Sequence, residues 1–317
     1  MARPATSPVV DQPFAPEYLT GRRSTLALLF MSLRPEQWTK NLLVFAGALF
    51  GGRLLDIEAV GLAVATFAIF CGLSGTVYLV NDWSDRHADR QHPLKRTRPI
   101  ASGHLSRNAV FSMVALLAGG ALGAASLISP ALAAVSAAYL VLLLLYSAVL
   151  KHVVIVDALT IAGGFVLRAV AGAVAVAVPI SDWLLVCTTL LALFLALSKR
   201  RHELTLLEDG ATEHRRILGE YSPYLLDQMI GVVTASTLIA YTVYATSADV
   251  AAKLGTSRLG LTIPFVLYGI FRYLYLVHQK RAGGSPAALL LTDRPLLGCV
   301  ALWAASVALI LYSPVGR

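Results

Sequence analysis

Long apolar blocks joined by short polar connections run through the chain from its first third to its C-terminus. A bilayer-crossing helix needs about 20 mostly apolar residues. Blocks of that size fall near 26–51, 57–80, 107–128, 131–150, 153–178, 183–199, 224–247, 261–279 and 295–313. The first is interrupted by the polar run from Arg34 to Lys40, so it is drawn as a short amphipathic helix that turns into a spanning helix at about Asn41. The pattern predicts an all-α polytopic integral membrane protein with nine transmembrane helices. Residues 24–317 form one transmembrane domain, preceded by a polar, Pro-rich tail over 1–23 that is expected to be disordered. That tail lacks the apolar core of a signal peptide, so the first membrane helix is expected to act as its own insertion signal.

Composition sharpens this picture. Hydrophobic residues make up 57% of the chain and charged ones 14%, against roughly 45–50% and 25% in soluble domains. A secreted soluble protein, a disordered chain and a coiled coil are excluded. The net charge of +8 would suggest nucleic acid in a soluble protein. Here the basic residues crowd into loops on one side of the predicted membrane, so no nucleic-acid partner is expected. Arg34, Lys40, Arg86, Arg90, Lys95, Arg98, Lys151, Lys199, Arg200, Arg215 and Lys280 fall on that side, and only Arg53, Lys253, Arg258 and Arg317 on the other. The positive-inside rule makes the basic side cytoplasmic and places the N-terminus there. An odd number of spans gives the same alternation. Cys71, Cys187 and Cys299 lie inside apolar blocks and read as small packing residues.

The chemistry-bearing residues follow the second block. Asp82, Asp85 and Asp89 are spaced i, i+3 and i+7, which puts three of the chain's 18 acidic residues on one helix face. Like charges so placed repel unless a cation sits among them. An oxygen-only ligand set suits a hard dication such as Mg²⁺, completed by water and substrate phosphates. Immediately downstream come Lys95, Arg96 and Arg98, the cations that a metal–diphosphate site requires. A solvated helix end whose acids pair with Arg86 and Arg90 is the competing reading of the acids, and positive-inside topology, the competing reading of the cations, explains their sign but not this adjacency.

Asn81-Asp82-x-x-Asp85-x-x-x-Asp89 at the cytoplasmic end of the second helix resembles the UbiA superfamily of intramembrane prenyltransferases. Arg34-Pro35-x-Gln37-Trp38-x-Lys40-Asn41, Lys95-Arg96-x-Arg98-Pro99-Ile100 and Leu197-Ser198-Lys199-Arg200-Arg201-x-Glu203-Leu204 narrow the likeness to the decaprenyl-phosphate phosphoribosyltransferase branch. The resemblance covers nearly the whole chain from Arg34 onward. It implies a UbiA-like fold and an Mg²⁺-dependent transfer of 5-phosphoribosyl from 5-phosphoribosyl diphosphate to a polyprenyl (decaprenyl) phosphate. The expected setting is a bacterial cytoplasmic membrane, with the site facing the cytoplasm and the product feeding cell-envelope polysaccharide synthesis. A homo-oligomer is compatible with it.

A second group straddles the turn between the fourth and fifth blocks: Tyr146, Lys151 and Asp157, with Arg168 eleven residues beyond on almost the same helix face. An Arg so deep in a helix should face a polar cavity or an acid, and the expectation is that Asp157 and Arg168 share one polar cavity. A purely structural ion pair is the competing reading. The family usually carries a second aspartate-rich motif with two acids, but Asp157 is followed by Ala158-Leu159-Thr160-Ile161. That departure argues against a second fully ligated metal and against a prenyl diphosphate donor.

The expected roles are therefore these. Asp82, Asp85 and Asp89 bind metal and, with Asp157, take part in catalysis. Lys40, Asn81, Arg98, Tyr146, Lys151, Arg168, Lys199 and Arg200 bind substrate. An aromatic prenyltransferase of the same superfamily is the first rival, and needs two metal sites. An ion-coupled transporter is the second, and would place its carboxylates near the bilayer midplane.

Overall fold

A computed structural model describes residues 24–92, 95–180, 182–208, 216–280 and 286–312. The expected tail of residues 1–23 and the basic residues Arg215 and Arg317 lie outside them. The described residues form helices and no strand. In chain order these are α1 (Thr25–Ser32), α2 (Ala46–Phe50), α3 (Ile57–Ser84), α4 (Arg86–Gln91), α5 (Arg107–Ile128), α6 (Pro130–Ala148) and α7 (Val156–Ala175). There follow α8 (Asp182–Glu208), α9 (Pro223–Thr246), α10 (Ala248–Leu254), α11 (Ile263–Gln279), α12 (Pro286–Thr292) and α13 (Arg294–Tyr312). Local chemistry sets many of the starts. Ser106, Ser129 and Ser222 accept the N–H groups of Ala109, Leu132 and Leu225, and Pro130 and Pro223 occupy the first helical position of α6 and α9.

Eight helices are long and apolar enough to cross a membrane: α3, α5 to α9, α11 with the turn before it, and α13. They match the last eight blocks of the sequence. The first block differs, because the chain there forms α1, an 11-residue 3₁₀ run over Pro35–Phe45 and the short α2. A 3₁₀ helix rises about 2.0 Å per residue against 1.5 Å, so Pro35 to Phe50 extends roughly 30 Å, close to one hydrocarbon thickness. Arg34 enters this run at φ 54, and Pro35 caps its first turn. The run lies in backbone contact with α7. A Cβ on Gly172 would collide with Val44 O, and one on Gly47 would come within 2.5 Å of Ala173 N. Such small-residue contacts let backbones approach where lipid supplies no hydrophobic drive between helices.

Helices α3 and α7 form the centre, each with 56% of its apolar stretch buried, whereas α5 and α13 bury only 11% and 17% and face outward. One core joins α8, α9 and α11 through Phe194, Leu197, Leu226, Ile230 and Tyr273. Another joins the 3₁₀ run, α3 and α6 through Val44, Phe70, Leu73, Leu132 and Tyr139. Helix α7 belongs to both, through Ala158 and Ala171. The polar residues of α3 and α7 are thereby held between two packed bodies.

Candidate active site

Helix α3 delivers Asp82, buried in its last turn, and breaks for one residue at Asp85 before α4 carries Asp89. The backbone register survives the break, since Asp85 N donates to Asn81 O and Asp89 N to Asp85 O at 2.9 and 2.8 Å. Asp82 and Asp89 converge: Arg98 Nη1 donates to both, at 3.0 and 2.7 Å. Arg34 Nη2 adds a 2.6 Å bond to Asp82 while its guanidinium lies over the Tyr78 ring, and Lys95 Nζ stands 3.8 Å from Asp89. Asp85 turns instead to Lys151 Nζ at 3.0 and 3.3 Å, on the 3₁₀ turn between α6 and α7. The expected single face thus holds for two of the three acids. The third reaches across to the next pair of helices, and Asn81 remains half-buried beside them.

The second group departs from expectation. Asp157 and Arg168 share a face of α7 but do not pair. Eleven residues separate them, roughly 16 Å along a helix axis, and each meets a different neighbour at its own depth. Asp157, 0% exposed, accepts from Arg200 Nε at 2.7 Å and from the Tyr221 hydroxyl at 2.9 Å. Arg168 donates to Asn41 Oδ1, Tyr139 Oη and Gly164 O at 2.7, 2.6 and 3.0 Å, all neutral acceptors. The rings of Tyr139 and Phe165 lie 4.8 and 5.1 Å from its guanidinium carbon, which spreads the charge over their faces.

Arg200 was expected to bind substrate, but it is 1% exposed and spends its donors inside the protein. Nε goes to Asp157, Nη1 to Glu203 at 2.6 Å and Nη2 to Tyr146 Oη at 3.2 Å. Three of its five N–H groups are engaged by these protein acceptors. It is a clasp between α6, α7 and α8. Its neighbour Lys199 is more open, 3.8 Å from Glu203. Lys40 shares its surroundings with Lys199, Arg168 and Arg34, so cations outnumber acids there. Beside these lysines in sequence, Thr39 Oγ1 and Ser198 Oγ are buried without a hydrogen-bond partner among the described residues.

The carboxylates of the first cluster offer oxygen alone, the donor set of a hard dication. Among the described residues no three His, Cys, Asp or Glu side chains converge closely enough to hold a metal by themselves. Asp82 and Asp89 are close enough to share one guanidinium nitrogen, however, and Mg²⁺ characteristically takes one or two carboxylates with phosphate and water completing its shell. The residues fit a metal that arrives with a phosphorylated substrate.

Arg34, Tyr139, Tyr221 and Glu203 belong to these networks and were not among the expected site residues. A tyrosine within the Leu- and Val-rich α6, and an arginine preceding a proline inside an apolar block, were the signals available for two of them.

Residues 41–293 match the UbiA prenyltransferase family. The decaprenyl-phosphate phosphoribosyltransferase of Mycolicibacterium smegmatis is 34% identical over 90% of this chain and 92% of its own length. That of Corynebacterium glutamicum is 31% identical over 90% and 86%. In architecture the chain is similar to a UbiA homologue from Archaeoglobus fulgidus bound to DMAPP and Mg²⁺, with a TM-score of 0.69 at 18% identity, covering 90% of this chain and 99% of that one.

Proposed function

The chain belongs to the UbiA prenyltransferase family, and from that premise we propose that it transfers 5-phosphoribosyl from 5-phosphoribosyl diphosphate to a polyprenyl phosphate, releasing diphosphate. Decaprenyl phosphate is the acceptor named in its relatives. The observation that carries this reading is the state of Asp157. It stands where a second metal motif would stand, yet Arg200 and Tyr221 occupy both of its oxygens. A donor handled through two metal sites is disfavoured. A hydrophilic donor with a second, remote phosphate suits one acidic cluster and a separate group of cations.

Asp82 and Asp89, with Asp85, would hold Mg²⁺, which when bound supplies positive charge against a leaving diphosphate. Arg34, Arg98 and Lys151 already face the same carboxylates and would take up the remaining phosphate charge. Lys40 and Lys199 would hold the 5-phosphate. The acceptor phosphate is anionic at neutral pH and needs no strong base to attack C1 of the ribose. As the bond from C1 to the diphosphate oxygen breaks, a bond to the acceptor oxygen forms. The oxocarbenium-like charge between them is stabilised by the carboxylates, Asp85 being the most exposed. By the positive-inside rule the basic loops support a site on the cytoplasmic side of a bacterial inner membrane, and the lipid tail would enter between helices. Its product would serve as a precursor of cell-envelope polysaccharide.

The test is diphosphate release by the purified chain in nanodiscs. Release that requires both 5-phosphoribosyl diphosphate and polyprenyl phosphate, and stops on chelation of divalent metal, is expected. Turnover of a prenyl diphosphate with an aromatic acceptor, and none with 5-phosphoribosyl diphosphate, transfers the assignment to the aromatic prenyltransferases.

A further inference from the structure

Tyr221 lies outside the helices, in the connection into α9, yet it is only 4% exposed. Ile217 and Leu218 on the turn before it are equally buried and anchor that turn in the core of α8 and α9. The Tyr221 hydroxyl accepts the Ile155 N–H at 2.7 Å and donates to Asp157 Oδ1 at 2.9 Å. Ile155 is β-branched and sits at φ 68, ψ −45, a conformation such residues rarely adopt. Backbone held there persists only when its surroundings over-determine it, and Tyr221 supplies the acceptor for the N–H that this conformation presents. The same hydroxyl fills the Asp157 oxygen left open by Arg200, whose Nε takes Oδ2.

From Arg200 the network continues in two directions. One runs through Glu203, which lies 3.8 Å from Lys199. The other runs to Tyr146, near the end of α6 and just before the turn that carries Lys151. Desolvation first, with the Asp157 carboxylate adding to it, pushes the Tyr221 hydroxyl up to about 12, so it remains a donor throughout the neutral range.

We propose that Tyr221 is a positioning residue whose hydroxyl fixes the start of α7 and, through Asp157 and Arg200, the placement of Lys199 and Lys151 for donor binding. The inference rests on the phosphoribosyl-transfer reading. In the full chain, Tyr221→Phe is expected to raise KM for 5-phosphoribosyl diphosphate about tenfold, with a smaller change in kcat and in KM for the polyprenyl phosphate. Combined with Asp157→Asn, the effects should be less than multiplicative, because both changes remove one bond. Equal KM changes for the two substrates, or independent effects in the double variant, overturn it.

A second variant retains the ring and its packing: a fluorinated tyrosine at 221 whose free hydroxyl ionises far enough below neutrality that the upward shift at this site brings it into the neutral range. The groups facing that hydroxyl are Asp157 and the Ile155 N–H on α7 and Arg200 on α8, with Tyr146 and Glu203 behind them. Once ionised it can no longer donate and confronts the Asp157 carboxylate. The ratio of its donor KM to that of the unmodified enzyme should therefore climb as pH rises through the neutral range, and a flat ratio overturns the inference. An unmodified chain that makes no phosphoribosyl lipid overturns this inference and the functional reading together. One that turns over while both variants match it overturns only the part given to Tyr221.

Discussion

The two acidic clusters use the same residue types and are treated oppositely. Asp82 and Asp89 are themselves only 4% exposed, but Asp85 is 36% exposed and the partner cations of all three keep contact with solvent: Lys151 is 11% exposed, Arg34 24%, Arg98 27% and Lys95 41%. Around Asp157 the partner Arg200 is 1% exposed and the acid 0%. A screened cation can exchange a carboxylate for a phosphate at small net cost, because water attends both states. A desolvated pair cannot, since any exchange strands a charge in the interior. This contrast is the ground for proposing the first cluster as the site and the second as its scaffold. Sign and proximity of charge alone do not distinguish them.

The contrast is broken most severely from the scaffold side. Arg200→Met leaves Asp157 buried with the Tyr221 hydroxyl as its remaining partner, and should cost about 3–5 kcal/mol of stability, read by unfolding in detergent. A loss below about 1 kcal/mol would show that the pair is not desolvated. On the site side, Asp82→Asn or Asp85→Asn should lower turnover by ~10²-fold or more, and for the more exposed Asp85 helicity and protein yield should stay near those of the parent. Activity retained with Mg²⁺ in either would remove the cluster from the chemistry. Lys199→Met should act mainly on KM for 5-phosphoribosyl diphosphate, raising it about tenfold, with KM for the lipid phosphate nearly unchanged. Equal effects would make Lys199 part of the scaffold too. The smallest effect belongs to Lys95→Ala. Its side chain is 41% exposed and its pair with Asp89 is long at 3.8 Å, so stability should change by less than about 1 kcal/mol.

Much of this contrast was legible in the sequence, though unevenly. Eight helices could be read from apolar blocks because a bilayer imposes their length and forbids unpaired backbone within it. The 3₁₀ run from Pro35 could not, since it depends on the open face that Gly172 of α7 presents to Val44, a contact between residues far apart in the chain. The aspartates after α3 stood out because carboxylates at helical spacing need cations, and the nearby Lys95 and Arg98 supplied them. The pairing of Asp157 failed for a geometric reason. Periodicity assigns a helix face but not the depth at which another helix offers a partner, so Arg168 was matched to an acid some three turns away along α7. Tyr221 was hidden for a related reason, as a connection residue that reaches its partners only after α8 and α9 pack.

The central claim concerns which atoms move, and isotopic position tests it directly. The purified chain in nanodiscs would receive polyprenyl phosphate, Mg²⁺ and 5-phosphoribosyl diphosphate carrying ³²P either in the 5-phosphate or in the terminal phosphate of the diphosphate. The account predicts that the 5-phosphate label enters the lipid extract, while the terminal label stays in water as diphosphate. Terminal label in the lipid, or no lipid label from either donor beside active turnover of a prenyl diphosphate, would contradict it.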